Sequence, residues 1–554
     1  MLINSRQINF KLSRMNKLFF IRIQLNEAIY TFLIFFFFVS NLQAQPNIIF
    51  AISDDQSWPH AGAYGCDFLK TPVFDRLASE GVLFMNAFTS APQCSPARAS
   101  VLTSRNIWQL EEAGVHGSLF PKKFPVFTHL LEEQGYHVGY TGKGWAPGLW
   151  NAGGEGVARD RNPVGKAYNE FALQPPYKGI SRKNYSANFT DFLEKRNPDQ
   201  PFFFWFGCHE PHRPYQAHFG VNLEDSIDGV KVPAFMPNNE TVKKDLLNYA
   251  VEIEWFDLQL GNMIQKLKEI GELENTIILV TADNGMAFPR AKMQNYEHGI
   301  HVPMAMRWGN SCKGNRKVDD LVGFIDLAPT FLEAAGISIP QSMSGRSLMN
   351  IIKSKKSGQV EEDRTSVLTG KERHSCARAE NLCYPIRAIR TNEYLYIRNL
   401  KPDRWPGGDP PYYLDMFWWH VYDWPSASYI VKNKDNREIS LFFDLNAAKR
   451  PPEELYDINN DPECLNNLAD KQEYKPVSKS LWNELKEKLI QQKDPRMFGK
   501  GDCFDSSPMT FLHNINRTTK EKLFPGIVPR GEYNTKMMVF DHSRDEFEAI
   551  ELMK

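Results

Sequence analysis

Continuous apolar runs, each closed by a polar cluster, set the pattern of this chain. Asn47-Ile-Ile-Phe-Ala-Ile-Ser53 shows no polar alternation, as in a strand buried on both faces. Val138-Gly-Tyr-Thr141, Phe202-Phe-Phe-Trp-Phe206 and Thr276-Ile-Ile-Leu-Val-Thr281 read as further strands. Between the last two, Leu260, Ile264, Leu267 and Ile270 share one helical face, which predicts a helix over about 248–270 closed by Gly271. Thr71-Pro72 opens a shorter helix, with Thr71 as N-cap, Pro72 at the first helical position and Gly81 past the end. Strands alternating with helices predict an α/β domain with a large, mostly parallel central sheet flanked by helices.

The pattern changes near residue 386. Residues 388–398 read as a hairpin turning at Thr391-Asn392, and 452–457 as a strand and turn. Residues 402–411 form a Pro/Gly-rich loop, and Trp405, Tyr412, Tyr413, Trp418, Trp419 and Trp424 crowd this region, as sugar platforms or as subdomain core. Residues 478–492 predict an amphipathic helix. The expected layout is a catalytic domain over 45–385, a smaller C-terminal α+β subdomain with a small antiparallel sheet over 386–500, and an extension over 501–554.

Residues 1–44 read as a signal peptide. Arg6, Lys11, Arg14, Lys17 and Arg22 flank the apolar run Tyr30–Val39, and Ala44-Gln45 offers a cleavage point. A run of about ten residues is short for a membrane span and suits a secretory leader; an N-terminal anchor is the alternative. The expectation is a secreted or periplasmic protein with no membrane span after signal removal. Losing those five basic residues and Glu27 takes the net charge from −1 to −5, which argues against a general nucleic-acid binder. Eight cysteines in 554 residues are too few for a disulfide scaffold, although Cys376 and Cys383 are close enough in sequence for a local bridge. Asn184, Asn188 and Asn239 stand in glycosylation sequons.

Polar clusters follow four of the strands: Asp54-Asp55, Gly142-Lys143, His209-Glu-Pro-His212 and Asp283-Asn-Gly285. Each alone is an ordinary turn or helix cap. Together they would converge in one cleft, because ligands of open α/β sheets bind beyond the strands' carboxyl ends. Asp54, Asp55, Asp283 and Asn284 are hard oxygen donors suited to Ca²⁺ or Mg²⁺. Cys94-Ser-Pro-Ala-Arg98 opens a helix, which puts residue 94 at the positive end of the dipole and Arg98 one turn on. Taken alone, Cys94 reads as a buried free thiol, the commoner fate of a lone cysteine.

Cys94-x-Pro96-x-Arg98 resembles the maturation signature of the type I, formylglycine-dependent sulfatases of the alkaline-phosphatase-like superfamily. The resemblance extends through residues 46–55, 91–103, Asp283-Asn-Gly285, Glu454-Leu-Tyr-Asp457, Asp461-Pro462 and Asn467-Leu-Ala469. Within that family the chain looks most like the heparan N-sulfatase (sulfamidase) branch and its bacterial polysaccharide-sulfatase relatives. The carriers are residues 206–213, Asp283-Asn-Gly-Met-Ala-Phe-Pro289 and Tyr384-Pro-Ile-Arg387. The resemblance implies that Cys94 is oxidised to formylglycine by a formylglycine-generating or anaerobic maturase. Its hydrate would attack sulfur to give a covalent sulfo-enzyme. Asp54, Asp55, Asp283 and Asn284, with residue 94, would hold Ca²⁺. Arg98, Lys143 and Lys292 would orient the hydrate and bind sulfate oxygens, and His209 would assist the leaving group.

One position departs from the family. Trp145 stands where many members carry the histidine of Gly-Lys-x-His, and an indole is no base near neutral pH. His137, His298 and His301 are candidate substitutes or structural residues. His212, Arg213, His374, Arg378 and Arg387 are candidate substrate contacts, or equally salt bridges. The expected function is hydrolysis of sulfate esters or sulfamates on a sulfated polysaccharide or its oligosaccharides, ulvan or a similar algal polymer first and heparan-type glycosaminoglycan second. A formylglycine phosphodiesterase or phosphonate hydrolase and a non-catalytic sulfated-glycan binder are the rival classes.

Overall fold

The computed structural model describes residues 45–510 except 155, 177, 216–226, 376, 379, 381, 411–412 and 416–423, together with strands Met537–Asp541 and Glu546–Ile550. The leader, Cys376 of the suggested bridge, Tyr412, Trp418, Trp419 and most of the C-terminal extension lie outside the described residues.

Seven consecutive residues of strand β1 (Asn47–Ser53) are buried, and the chain lays strands on both sides of it. Ile48, Phe50 and Ile52 point to one face and Ile49 and Ala51 to the other, so both faces need helical cover. The remaining strands are β2 (Val82–Phe84), β3 (His137–Gly142), β4 (Lys166–Ala167), β5 (Phe202–Gly207), β6 (Thr276–Ala282), β7 (Met304–Arg307) and β8 (Arg316–Val318). Their order in the sheet is β4-β3-β5-β1-β6-β7-β2-β8, and only β7 runs against its neighbours. Helices α1 (Pro72–Glu80), α4 (Tyr185–Glu194) and α5 (Glu240–Glu269) cover the Ile49 face. Helices α2 (Cys94–Thr103), α3 (Phe127–Glu133) and α6 (Leu327–Ala334) cover the other.

Strands β9 (Ser366–Lys371), β10 (Ile386–Thr391), β11 (Tyr394–Asn399) and β12 (Glu453–Asp457) form a separate antiparallel sheet. It begins at Ser366, inside the stretch assigned above to the catalytic domain. One face packs on helix α7 (Lys475–Gln491), through Ile389, Tyr396, Leu455, Leu481, Leu485 and Leu489. The other packs on Phe88, Tyr296 and Ile300 of the larger part. This is the alkaline-phosphatase-like layout that the resemblance implies, a large mixed sheet with a small antiparallel companion.

Two helix starts differ from the sequence reading. α5 begins eight residues earlier than its apolar stripe, because the Asn239 side chain caps it by accepting from Val242 N at 3.0 Å. Thr71 does not cap α1: its hydroxyl accepts from Gly62 N at 2.8 Å. The cap comes from α5, where the Asp257 carboxylate accepts from Val73 N at 2.9 Å and Phe74 N at 2.8 Å. Among the described residues no helix is long and apolar enough to cross a membrane.

Candidate active site

The carboxyl ends of β1, β3 and β6 and the N-terminus of α2 meet in one buried cluster. Asp54, Asp55, Cys94 and Asp283 each bring a ligand atom within 4.8 Å of the others. Cys94 is the first residue of α2, and its Sγ lies 3.3 Å from Asp54 Oδ1 and 4.0 Å from Asp55 Oδ1. Asp55 stands at φ 75, a left-handed conformation that Asp tolerates better than most residues, and its N donates to Asp283 Oδ1 at 3.1 Å. Asn284 donates through Nδ2 to Asp55 Oδ1 at 2.7 Å, and its buried Oδ1 has no hydrogen-bond partner among the described residues. A hard divalent cation fits this set, since three carboxylates and an unsatisfied amide oxygen are all oxygen acceptors.

Three cations balance the carboxylates. Lys143 Nζ lies 2.5 Å from Asp54 Oδ2, Lys292 Nζ 2.6 Å from Asp55 Oδ2, and Arg98 Nε 2.8 Å from Asp283 Oδ2. Burial drives the Asp54 carboxyl upward, but Lys143, His212, Arg98 and Lys292 outweigh it and hold the group well below its usual range. Asp283 has too little compensation: burial, then the negative charge of Asp54, pushes it up to about 7. Burial also pushes the Cys94 thiol well up, and Asp54 adds to it, so unmodified Cys94 is a neutral thiol. Arg98 donates in addition to Lys143 O at 2.8 Å and Gly144 O at 3.1 Å, which ties the nucleophile helix to the turn after β3.

That turn depends on two glycines. Gly142 has φ +76, and a Cβ there would lie 2.0 Å from Gly207 O; a Cβ on Gly207 would lie 1.8 Å from Lys143 O. Without side chains the ends of β3 and β5 approach closely, with Lys143 N donating to Gly207 O at 2.6 Å.

His212 reaches the cluster, its Nε2 lying 3.9 Å from Asp55 Oδ2. The His209–Glu210 segment runs beside β1, since Asp54 N donates to Glu210 O at 3.1 Å. Buried Glu210 anchors this loop by accepting from Ser181 N at 2.7 Å and Tyr185 Oη at 2.9 Å, while His209 N donates to Tyr185 Oη at 3.2 Å. The three candidate arginines are engaged elsewhere. Arg213 pairs with Asp245 through two contacts of 2.8 Å. Arg378 donates to the carbonyls of Trp405, Leu382 and Pro406. Arg387 is fully buried between Glu372 and Asp494.

Trp145 faces the core. Its Nε1 donates to Ser95 O at 3.0 Å, in the first turn of α2, and its ring packs 5.0 Å from Phe120. The candidate substitute histidines also hold structural contacts. His137 meets Tyr168 Oη at 3.2 Å and His301 lies between Glu297 and Met85 O, while the His298 ring packs edge-on against Trp58 and Phe235 and its buried Nδ1 has no hydrogen-bond partner among the described residues. The sequence reading missed His116. Its Nδ1 lies 2.9 Å from His374 O, the two rings stack 4.1 Å apart, and Gly117 N donates to Ser95 Oγ at 3.1 Å. Burial, then the charge of Lys292, lowers His116 to about 3, so its imidazole is neutral. Its lone nearby signal is Gly114-Val-His116, too short to read without the fold.

A model of the sulfatase family matches residues 46–337, the stretch that supplies every residue of this cluster. The chain belongs to the sulfatase family. The sulfatase is therefore a sulfuric ester hydrolase. A second model, the C-terminal region of N-sulphoglucosamine sulphohydrolase, matches residues 290–406. An ulvan-active sulfatase of Formosa agariphila is 28% identical over 475 residues, covering 84% of this chain and 83% of its own length. Human N-sulphoglucosamine sulphohydrolase is 26% identical over 498 residues, covering 82% and 92%. Among solved structures, a protein of the glycosaminoglycan-metabolism locus of Bacteroides thetaiotaomicron superposes with a TM-score of 0.61 at 19% identity, covering 82% of this sulfatase and 98% of that chain. A second, solved with its substrate D-glucosamine-2-N,6-O-disulfate, gives 0.57 at 19% identity, covering 81% and 98%.

Proposed function

We propose that this sulfatase removes sulfate from a sulfated polysaccharide or its oligosaccharides, using a formylglycine made from Cys94 and a Ca²⁺ held by Asp54, Asp55, Asp283 and Asn284. The observation that carries this reading is Cys94 Sγ at 3.3 Å from Asp54 Oδ1, on the first residue of a helix and ringed by three cations. A Ca²⁺ held by Asp54, Asp55, Asp283 and Asn284 would lower the proton affinity of a formylglycine hydrate at residue 94, which would supply the attacking hydroxyl. The chain's own residues do the rest. Lys143 and Lys292 supply positive charge to the sulfate oxygens, where charge develops during transfer. Arg98 holds Asp283 and the turn carrying Lys143 in place. His209 gives a proton to the departing oxygen or nitrogen, on a loop fixed by Glu210 and Tyr185.

An ulvan-like algal polysaccharide is the substrate favoured here, supported by the ulvan-active relatives. A heparan-type glycosaminoglycan is the second reading, supported by the match of residues 290–406 to the N-sulphoglucosamine sulphohydrolase C-terminal model. The leader before Ala44 supports export to the periplasm or medium, with Cys94 converted by a maturase. Sulfate release from ulvan and heparan oligosaccharides, measured in parallel with Ca²⁺, tests all of this; Cys94→Ala is the blank and the mass of the residue-94 peptide reports conversion. Release from ulvan alone supports the first substrate, and release from heparan alone the second. Release from neither by converted enzyme overturns both.

A further inference from the structure

The His209 loop and the turn carrying Lys143 meet on one side chain. Tyr185 is the first residue of α4, and the Asn184 side chain caps that helix by accepting from Ala187 N at 3.1 Å. The Tyr185 ring is fully buried in one core cluster with Phe189 and Phe192, one and two helical turns on. It also meets Phe206 of β5, with ring centroids 5.2 Å apart. Phenylalanine would fill this space with no polar atom to satisfy. The hydroxyl serves the site instead. It accepts from His209 N at 3.2 Å and donates to Glu210 Oε2 at 2.9 Å. Glu210 is itself held at both oxygens, by Ser181 N at 2.7 Å and by Cys208 Sγ at 2.8 Å. His209 O accepts from His212 N at 2.9 Å, so both polar backbone atoms of His209 are fixed. The ring edge faces the other segment. A Cβ on Gly142 would lie 2.9 Å from Tyr185 Cε1, so the ring packs directly on the turn that presents Lys143.

One rigid side chain therefore spans the turn of a sulfate-binding cation and the loop of the leaving-group acid. We propose that Tyr185 is a positioning residue that registers His209 against the Lys143 turn, so that strongly basic leaving groups are protonated while sulfate is held. The inference rests on the reading of His209 as proton donor and names what fixes that donor. When the bond from sulfur to the leaving oxygen breaks, its electron pair stays on that oxygen. A sugar alkoxide is too basic to leave without the proton from His209, whereas an acidic phenol leaves as its anion. A misplacement of about 1 Å costs an oriented catalytic group much of its effect. Loosening His209 therefore penalises basic leaving groups and spares acidic ones.

Tyr185→Phe keeps the ring on Gly142 and removes the hydroxyl from His209 and Glu210. The measurement is kcat/KM of converted enzyme with Ca²⁺, across aryl sulfates whose phenols run from strongly to weakly acidic. The expected loss is about tenfold for the least acidic phenol and under about twofold for the most acidic, a steeper dependence on leaving-group acidity than in wild type. Glu210→Gln keeps an acceptor for Ser181 N and turns an NH₂ toward the Tyr185 hydroxyl. It should steepen the dependence in the same direction, and it carries the test if Tyr185→Phe does not fold. An equal loss for every phenol in the variants that fold, whatever their unfolding temperature, assigns Tyr185 to the fold alone and overturns the proposal. His209→Ala separates that result from failure of the underlying reading. A dependence steepened in His209→Ala but unchanged in the Tyr185 and Glu210 variants overturns the role of Tyr185 only. A dependence unchanged in His209→Ala defeats His209 as the proton donor, and the proposal with it.

Discussion

At the scale of single residues the site is a charge-balanced cluster in which each cation has one carboxylate. Lys292 sits on Asp55 at 2.6 Å with almost no exposure. Lys292→Ala removes positive charge from a buried pair, and sulfate release should fall by at least a hundredfold in kcat/KM, the range for losing an oriented electrostatic contact. Steady-state kinetics on the best saccharide would check it, and a loss below tenfold would take Lys292 out of sulfate binding. Trp145 makes a different demand. Its indole donates to Ser95 O at 3.0 Å, so Trp145→Phe keeps the packing on Phe120 and loses one buried hydrogen bond. The expected cost is about 1 kcal/mol in denaturant unfolding, with kcat reduced only severalfold. A loss as large as that of Cys94→Ala would mean that the indole meets the substrate. In the sequence Trp145 stood out only as a missing histidine; its role as a brace needs the fold that brings Ser95 to it.

At the scale of elements, helix ends and strand ends carry the mechanism. The Asn239 side chain caps the thirty-residue helix α5, and Asn239→Ala should cost about 1 kcal/mol without changing kcat. Equilibrium unfolding and one activity assay settle that. Gly142 is less forgiving. A methyl group at φ +76, pressed to 2.0 Å from Gly207 O, must push β3 away from β5 and carry Lys143 with it. Gly142→Ala should therefore lose both stability and activity, while Gly135→Ala, at φ +90 with open space around its Cβ, should lose stability alone. Periodicity showed where the elements run, because burial repeats along a strand or helix. Their caps were less legible: α1 is closed by Asp257, which no local pattern connects to residues 73 and 74.

For the whole molecule, buried ion pairs join the two sheets. Glu297 meets Arg390 of β10 at 2.7 Å, so the larger part and the antiparallel sheet are locked by a pair that water scarcely reaches. Burial drives Glu297 upward, but Arg390 and His301 together outweigh it and bring the carboxyl down from 4.5 to about 2. A group depressed on folding stabilises above its unfolded value and loses that contribution as pH falls through the folded one. That depression corresponds to about 3 kcal/mol, present above pH 4.5 and lost between there and about pH 2. Glu297→Gln should be about 3 kcal/mol less stable at pH 7 and lose correspondingly less on acidification, as denaturant titrations at pH 7 and 3 would show. An equal acid loss in both proteins would remove this pair from the acid response.

The sequence by itself determined the strand cores, the alternating α/β order, the hard-oxygen donor set and the Cys94 signature. These are legible because apolar runs and the polar residues closing them are local, and because strand ends of a parallel sheet gather at one edge. The tertiary structure alone decided which charged side chains remain for chemistry. Arg213, Arg378 and Arg387 read from the sequence equally as anion readers or as salt bridges, and the fold sets Asp245, the Trp405 and Pro406 carbonyls and Asp494 beside them. His116 and the bridging hydroxyl of Tyr185 emerged in the same way. A side chain's chemistry is intrinsic, but its availability depends on partners far away in the chain, and only folding brings those partners within hydrogen-bond distance.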